Sequence, residues 1–253
     1  MTNLKIFLDQ KAAQYNSCAF IETDPVSVPH LFSRKEDIEI AGFFAATLAW
    51  GQRKVAISNA RRLMQMMEME PHDLGLHFTD NALKPFRQFV HRTFNGTDCE
   101  YFLWALKNIY QNHVDLENVF CGGQEDVTDV ATALVNFRDT FFSLDHPPRT
   151  EKHVANVLKN ATAKRLNMFL RWMVRRDDNG VDYGLWKRFS PAQLICPLDV
   201  HSGRVARKLG LLPPGADNFA AALGLTERLR VFDADDPVRY DYALFGLGIF
   251  EGF

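Results

Sequence analysis

Two residues that could carry chemistry stand in neighbouring basic segments of the chain. Asp199 lies in PLDVHSGRVARKLG, where apolar residues at helical spacing follow it, and Lys164 lies thirty-five residues earlier, in NATAKRLNMF. A carboxylate can stabilise a developing positive charge or activate a nucleophile, and a neutral lysine is itself a nucleophile. In the structural alternative, Asp199 only caps a helix and Lys164 is a solvated residue in a first helical turn.

The motifs that are missing exclude several enzyme classes. The sequence has no Walker A loop, no HExxH and no GxSxG, which argues against nucleotide hydrolysis, zinc proteolysis and α/β-hydrolase chemistry. The four cysteines are far apart and form no CxxC pair, so neither a zinc knuckle nor an iron–sulfur cluster is expected. Asp199 and His201 are too few for a metal site. We therefore expect no metal and no cofactor.

Basic residues are concentrated in one part of the chain. Between Arg149 and Lys208 there are thirteen Lys and Arg against five Asp and Glu, whereas the whole chain has a formal net charge of −2. This asymmetry is typical of a phosphate-binding face on an otherwise acidic protein, although clustered solvated helix faces would leave the same pattern. The candidate nucleic-acid contacts are Arg165, Arg171, Arg204, Arg207 and Lys208.

The hydrophobic pattern predicts helices along nearly the whole chain. Strand alternation and hairpin turn signals are nearly absent, and residues 176–197 form the longest irregular stretch. The prediction is an all-α protein of about a dozen helices. Helix starts are predicted by capping boxes at Ser33–Glu36 and Thr97–Glu100 and by Ser190-Pro191 and Asp236-Pro237, and other helices are expected over Val55–Met67, Val127–Phe142, Val154–Leu158 and Lys164–Val174.

Length and composition indicate a globular chain. The 253 residues are 47% apolar and 24% charged, which supports a sizeable core. No apolar run approaches the roughly 20 residues that span a bilayer, and the cysteine usage favours the cytoplasm. We expect one all-α unit of two lobes. The helical lobe is expected over residues 31–148, and the basic hairpin and catalytic segment over residues 149–216. Part of the N-terminal lobe is joined by residues of about 1–30 and 217–253.

These residues resemble the helix-hairpin-helix DNA glycosylases of the endonuclease III superfamily. PLDVHSGRVARKLGL is similar to the family segment that holds its catalytic aspartate, and Lys164 matches the lysine that opens the second hairpin helix. The interval between them is closest to the archaeal 8-oxoguanine glycosylase branch. FFAATLAWGQRKVAISNARRL and DPVRYDYALFGLGI resemble the early and closing helices. The chain as a whole also looks like a bacterial family with KRLNMFLRWMVR and PLDxH, to which no chemistry is assigned.

The resemblance implies a two-lobed glycosylase-like fold and removal of a damaged base from DNA, with an oxidised purine as one candidate. Lys164 would be the nucleophile and Asp199 the carboxylate. Where the family hairpin has Gly-x-Gly, this chain has Asn160 and Thr162, and the family's four-cysteine cluster motif is absent. A flipped base needs aromatic faces and polar edges around it. The candidate pocket residues are Trp50, Gln52, Trp172 and His201.

Each of these pocket residues also has a structural interpretation. Trp50 and Trp172 stand in apolar stripes and fit a core, Gln52 could cap a turn, and His201 could be an ordinary residue of a helical turn. Two other functions therefore stay open: a non-catalytic nucleic-acid-binding protein on the same scaffold, and an enzyme acting on a small nucleoside-like molecule. The expected partner is DNA, with RNA as the alternative, and a DNA-binding protein would associate with the nucleoid. The sequence does not define an oligomeric state.

Overall fold

The computed structural model describes residues 2–125 and 129–253, and these residues are predominantly helical. Their only sheet is a two-stranded antiparallel hairpin, β1 Val90–His91 and β2 Phe94–Asn95, so the all-α prediction is confirmed. The α-helices are α1 Thr2–Tyr15, α2 Cys18–Glu22, α3 Lys35–Leu48, α4 Arg53–Met66, α5 Pro71–His77, α6 Asp80–Leu83, α7 Gly96–Asn112, α8 Leu116–Phe120, α9 Val130–Phe141, α10 Lys164–Val174, α11 Val200–Lys208, α12 Phe219–Arg230 and α13 Tyr240–Phe250.

The chain forms two compact units. Unit 1 consists of Met1–Glu22, Thr128–Val130 and Asn156–Phe253, and unit 2 consists of Thr23–Val127 and Ala131–Ala155. No helix among the described residues is long and apolar enough to cross a membrane. Short 3-10 helices complete the fold, at Pro25–Ser27, Pro29–Leu31, Phe86–Gln88, Pro148–His153, Val157–Lys159, Pro191–Gln193 and Pro237–Arg239.

Unit 2 is built around phenylalanine side chains from three helices. Phe43 of α3 stacks on Phe102 of α7 at a centroid distance of 5.5 Å, and Phe102 meets Phe141 of α9 edge-on at 4.8 Å. All three rings are buried. Offset and edge-to-face aromatic pairs add about 0.5–1.5 kcal/mol each beyond the burial of apolar surface. Helix α3 is buried nearly all round, and its one fully buried charge, Glu39, accepts hydrogen bonds from the Tyr110 hydroxyl and the Leu116 amide.

Unit 1 is organised around the apolar helix α13, which packs against α1 and α11. Two glycines of α13 allow α1 and α11 to pack closely against it. The Tyr15 ring of α1 lies over Gly246, and a Cβ at Gly248 would lie 3.3 Å from atoms of His201 and Val205 in α11. The helix that begins with Asp199 as its cap is therefore seated directly on α13.

The long connection after α10 packs against the core of unit 1. The Tyr183 amide donates to the Trp172 carbonyl (2.8 Å) and the Trp186 amide to the Met173 carbonyl (2.9 Å), so the loop satisfies carbonyls of the last turn of α10. The Trp186 ring is buried and meets Phe169 of α10 edge-on at 5.4 Å. Apart from one 3-10 turn at Pro191–Gln193, the stretch is irregular, as the glycines and prolines predicted.

The helix starts differ in detail from the sequence predictions. Helix α3 begins at Lys35 with Arg34 as its N-cap and no side-chain cap, so the Ser33–Glu36 box is wrong. In α7 the box is formed by Asn95 and Asp98, two residues before the one predicted at Thr97, because Asn95 already leaves the hairpin in an extended conformation. Such boxes are specified by short spacings that recur by chance.

Other predicted helix starts and ranges were tested in the same way, with mixed outcomes. Val154–Leu158 is not an α-helix, since only the 3-10 turn Val157–Lys159 forms there. Ser190 caps its turn as predicted, whereas Asp236 makes no side-chain cap and its carboxylate is used by Arg175 instead. The predicted start at Val127 lies outside the described residues.

The close approach at Gly246 gives a stability prediction. Gly246→Ala would place a methyl group inside the Tyr15 ring, so overpacking should lower the free energy of unfolding by about 1–3 kcal/mol. Gly224→Ala in α12 is the matched control, because its Cβ would meet no atom within 4 Å. It should stabilise the protein by up to about 1 kcal/mol through helix propensity. Urea unfolding of both variants measures the difference, and equal effects would contradict the packing account.

Candidate active site

Asp199 is held at the first turn of α11 by a complete capping box. Its Oδ1 accepts hydrogen bonds from the amides of His201 (2.9 Å) and Ser202 (3.0 Å), and the Ser202 hydroxyl accepts from the Asp199 amide (2.9 Å). The predicted capping role of Asp199 is therefore confirmed. Because the amides engage Oδ1, the second carboxylate oxygen is left to face another group.

That group is Lys164, the first residue of α10. Its Nζ lies 3.7 Å from Asp199 Oδ2 and 3.5 Å from Met168 Sδ, and both charged side chains keep about a quarter of their surface exposed, 21% for Lys164 and 26% for Asp199. The residue before it, Ala163, has a left-handed backbone (φ 52°), which is costly for a residue with a Cβ and aims the chain into the helix at this point. The structure thus brings the two sequence-predicted residues together as a partly exposed ion pair.

The surroundings favour an ionised Asp199. Burial opposes its charge, but the positive charge of Lys164 and the two backbone N–H donors outweigh burial and lower the pKa of Asp199 below its ordinary value. The nearby His201 contributes in the same direction. A carboxylate of this kind stays charged through the neutral range, so it can stabilise a positive charge and is a poor resting proton acceptor.

A second carboxyl in the same electrostatic neighbourhood behaves in the opposite way. Burial raises the pKa of Asp241, in α13, to about 6, although Arg171 and Lys164 act against the shift; the negative charges of Asp199 and Asp182 reinforce it. Sequence analysis did not assign Asp241 to the site. The sequence feature that could have indicated Asp241 is a single charged residue in the otherwise apolar helix YDYALFGLGIF. A carboxyl in such a helix needs a buried partner.

That partner is Arg171, and this finding corrects a sequence prediction. The Arg171 guanidinium is only 3% exposed, donates to Asp182 and Asp241, and lies 4.2 Å from the centroid of the Tyr242 ring. A guanidinium enclosed in this way cannot reach a phosphate, so Arg171 is an internal ion-pair residue. Arg165 is half-buried, and burial lowers the pKa of its guanidinium to about 10.

The three basic residues of α11 lie nearer the surface, yet each contacts its own unit. Arg204 is exposed and donates to the carbonyls of Gly248 and Phe253, whereas Arg207 pairs with Asp217 at 2.8 Å. Lys208 is exposed, with its Nζ 5.3 Å from the centroid of the Phe253 ring. Lys208 is therefore the α11 cation whose charge is least committed to internal contacts.

The predicted pocket residues are distributed over both units. His201 belongs to unit 1 and is half-buried, with an Nδ1 that has no hydrogen-bond partner. Trp172, also in unit 1, is fully buried, so the core interpretation is right and its ring offers no face for stacking. Trp50 and Gln52 belong to unit 2. Trp50 is half-buried beneath the Arg92 guanidinium, and Gln52 is exposed at the N-cap of α4 without forming a side-chain cap.

Comparison with known protein families identifies the chain as a family member. The profile of the family described as "Protein of unknown function (DUF2400)" matches residues 24–250, and the protein belongs to this family. Neither the curated proteins nor the solved structures gave a match. Within residues 2–125 and 129–253, no group of three or more His, Cys, Asp or Glu side chains is arranged to hold a metal ion.

The opposite shifts of Asp241 and Asp199 give a direct titration prediction. In the folded protein with 13C-labelled aspartate, the Asp241 carboxyl should titrate near pH 6, whereas Asp199 should titrate below its ordinary pKa of 3.8. Carboxyl-carbon chemical shifts followed by NMR measure both residues. A midpoint for Asp241 below pH 4, or for Asp199 above it, would contradict the electrostatic account of the site.

The same shifts predict opposite contributions to stability. Asp241 ionises at a higher pH when folded than its unfolded value of 3.8, so its contribution to the free energy of unfolding falls as the pH rises from about 3.8 to about 6. The contribution of Asp199 is present above its unfolded value of 3.8 and is lost as the pH falls through its lower folded pKa.

Proposed function

We propose that this protein removes a damaged base from DNA, with Lys164 as the nucleophile and Asp199 as the charge-stabilising carboxylate. The observation that carries the proposal is the 3.7 Å approach of Lys164 Nζ to Asp199 Oδ2 at the starts of two helices. The resemblance of both segments to helix-hairpin-helix glycosylases supports this reaction class. An oxidised purine is the candidate substrate, and duplex DNA is the partner.

The reaction would use the two side chains in different ways. The neutral amine of Lys164 attacks the sugar C1′, the N-glycosidic bond breaks, and its electron pair leaves with the base. The ammonium loses one proton before attack and the departing base gains one, so the protons balance. The nitrogen now bonded to C1′ gives one proton to O4′ as the C1′–O4′ bond breaks and its electron pair stays on O4′, which opens the sugar ring and leaves a protonated imine between Lys164 and C1′. Asp199, whose lowered pKa keeps it charged, stabilises the positive charge that develops on the sugar.

The hairpin geometry supports the finer fold proposal, a two-lobed helix-hairpin-helix scaffold. The turn Val157–Lys159 and helix α10 are joined by four residues, of which Asn160 (φ 59°) and Ala163 (φ 52°) are left-handed. Asn160 thus takes one of the left-handed conformations that glycine takes in the family. Thr162 has no positive φ, which would be unfavourable for a threonine. The Asn160 carbonyl and side chain accept from the Phe219 and Ala220 amides, which fixes this turn to α12.

Covalent trapping tests the nucleophile. Borohydride reduces an imine to a stable amine, so the wild type should become cross-linked to a duplex that contains the damaged base. Lys164→Ala should abolish the cross-linked band on a denaturing gel. Lys159→Ala, which removes an exposed lysine from the preceding turn, should leave it unchanged. Base release without any trapping would move the attack to water and exclude Lys164 as the nucleophile.

Replacing Asp199 tests the carboxylate. Asp199→Asn keeps the size and the capping capacity but removes the charge, so single-turnover base release should fall by about two orders of magnitude or more. The free energy of unfolding should change by less than about 1 kcal/mol. Full activity of this variant, or its failure to fold, would reduce Asp199 to a structural cap. If the wild type binds DNA in a salt-sensitive way but acts on no lesion, the protein is a non-catalytic DNA-binding protein.

A further inference from the structure

Helix α4 of unit 2 carries a basic face that sequence analysis did not single out. The helix RKVAISNARRLMQM contains four cations and no acidic residue, and its buried residues are Ala56, Ile57, Ala60, Leu63 and Met64. Lys54, Ser58, Arg61 and Gln65 are all exposed and recur at intervals of four, three and four residues, so they form one stripe along the outer face of the helix. Arg62 is exposed beside this stripe.

An additional cation lies at the N-terminal end of the stripe. Arg92, in the hairpin turn between β1 and β2, is exposed and has a left-handed backbone (φ 55°). Its guanidinium carbon is 4.9 Å from the centroid of the Trp50 ring, and a Cβ on Gly51 would lie 2.5 Å from its Nη1. The guanidinium is thus held against the turn that precedes α4, where packing on the indole reduces the freedom lost on binding.

Two cations of this face contact aromatic rings: the Arg62 guanidinium carbon lies 5.9 Å from the centroid of the Phe89 ring, and Arg92 packs on Trp50. Within the described part of the chain, no carboxylate forms an ion pair with Lys54, Arg61, Arg62 or Arg92, whereas Arg171, Arg175 and Arg207 of unit 1 are each paired with an aspartate. Exposed cations that are not neutralised by a carboxylate repel one another, and an anionic partner would relieve this repulsion.

We propose that Lys54, Arg61, Arg62 and Arg92, here called the α4 face, bind the phosphate backbone of duplex DNA. The inference rests on the proposed function and adds a second contact region, in unit 2, that does not include Lys164. Lys54 and Arg61 are seven residues apart, about 10 Å along the helix. Cations spread over this length fit an extended polyanion better than a single phosphate, because about 10 Å of duplex carries about six phosphates.

The chemistry of the face also disfavours a lipid surface as its partner. A helix that lies in a membrane interface buries an outward apolar side, whereas the stripe on α4 contains the polar residues Ser58 and Gln65, and Val55 is the exposed large apolar residue of this helix. Backbone binding through cations alone has a measurable signature, because each phosphate contact releases counterions and steepens the salt dependence of binding.

The test compares two double variants that remove the same charge from unit 2. Lys54→Ala/Arg61→Ala removes two cations of the α4 face, and Arg34→Ala/Lys84→Ala removes one exposed arginine and one exposed lysine elsewhere in unit 2. Binding to an undamaged fluorescent duplex is measured by anisotropy between 50 and 200 mM salt. The slope of log K against log salt should fall by roughly two for the first variant and should be nearly unchanged for the second, since each contact contributes about 0.9.

Several outcomes would overturn the α4 face as a DNA contact. An unchanged slope for Lys54→Ala/Arg61→Ala, an equal fall in both variants, or binding of the wild type to phosphatidylserine vesicles but not to duplex would each do so. Circular dichroism of both variants checks that they are folded. Reductive trapping separates this inference from the proposed function: trapping with an unchanged slope overturns only the α4 face, and a reduced slope without trapping overturns only the chemistry.

Discussion

The buried guanidinium of Arg171 is the constraint on which the candidate site depends. A charge with 3% exposure is stable only when paired, and Arg171 is paired with Asp182 of the loop after α10 and with Asp241 of α13. These ion pairs fix α10, and with it Lys164, to α13. Because α11 is seated on α13 through Gly248, the same framework also sets the position of Asp199. Removing one partner of a buried ion pair typically lowers the free energy of unfolding by about 3–5 kcal/mol. The interior of unit 1 therefore fixes the positions of Lys164 and Asp199.

The two carboxyls of the candidate site, Asp199 and Asp241, lie in different environments. Asp199, capped by two amides and facing a lysine, has a lowered pKa, whereas Asp241, enclosed in α13, has a pKa raised to about 6. The pKa values of these two carboxyls shift in opposite directions although both interact with Lys164. One carboxyl is therefore suited to stabilise a positive charge, and the other is suited to take up a proton. In the proposed reaction, the first role belongs to Asp199. Because Arg171 and Arg207 are paired inside unit 1, we propose surfaces such as the α4 face as the contacts to DNA.

Sequence predicted those features that are encoded locally. The helical periodicity, the start of α10 at Lys164 and the cap at Asp199 follow from residues within one or two turns, and each was found. Features that depend on distant partners could not be read in this way. Arg171 looks like a surface cation until Asp182 and Asp241 are placed beside it, and Asn95 replaces Thr97 as a cap because the hairpin ends there. The basic face of α4 is also encoded locally, because the helix contains four cations and no acidic residue, but its Arg92 comes from the distant hairpin turn.

The claim that Lys164 is the nucleophile is tested most directly by identifying the atom that becomes attached to DNA. The borohydride-reduced complex is digested with a protease and a nuclease, and the modified peptide is sequenced by tandem mass spectrometry. The account predicts a sugar-derived mass on Lys164, in the peptide that begins α10. The same mass on another lysine or on the N-terminal amine would contradict it.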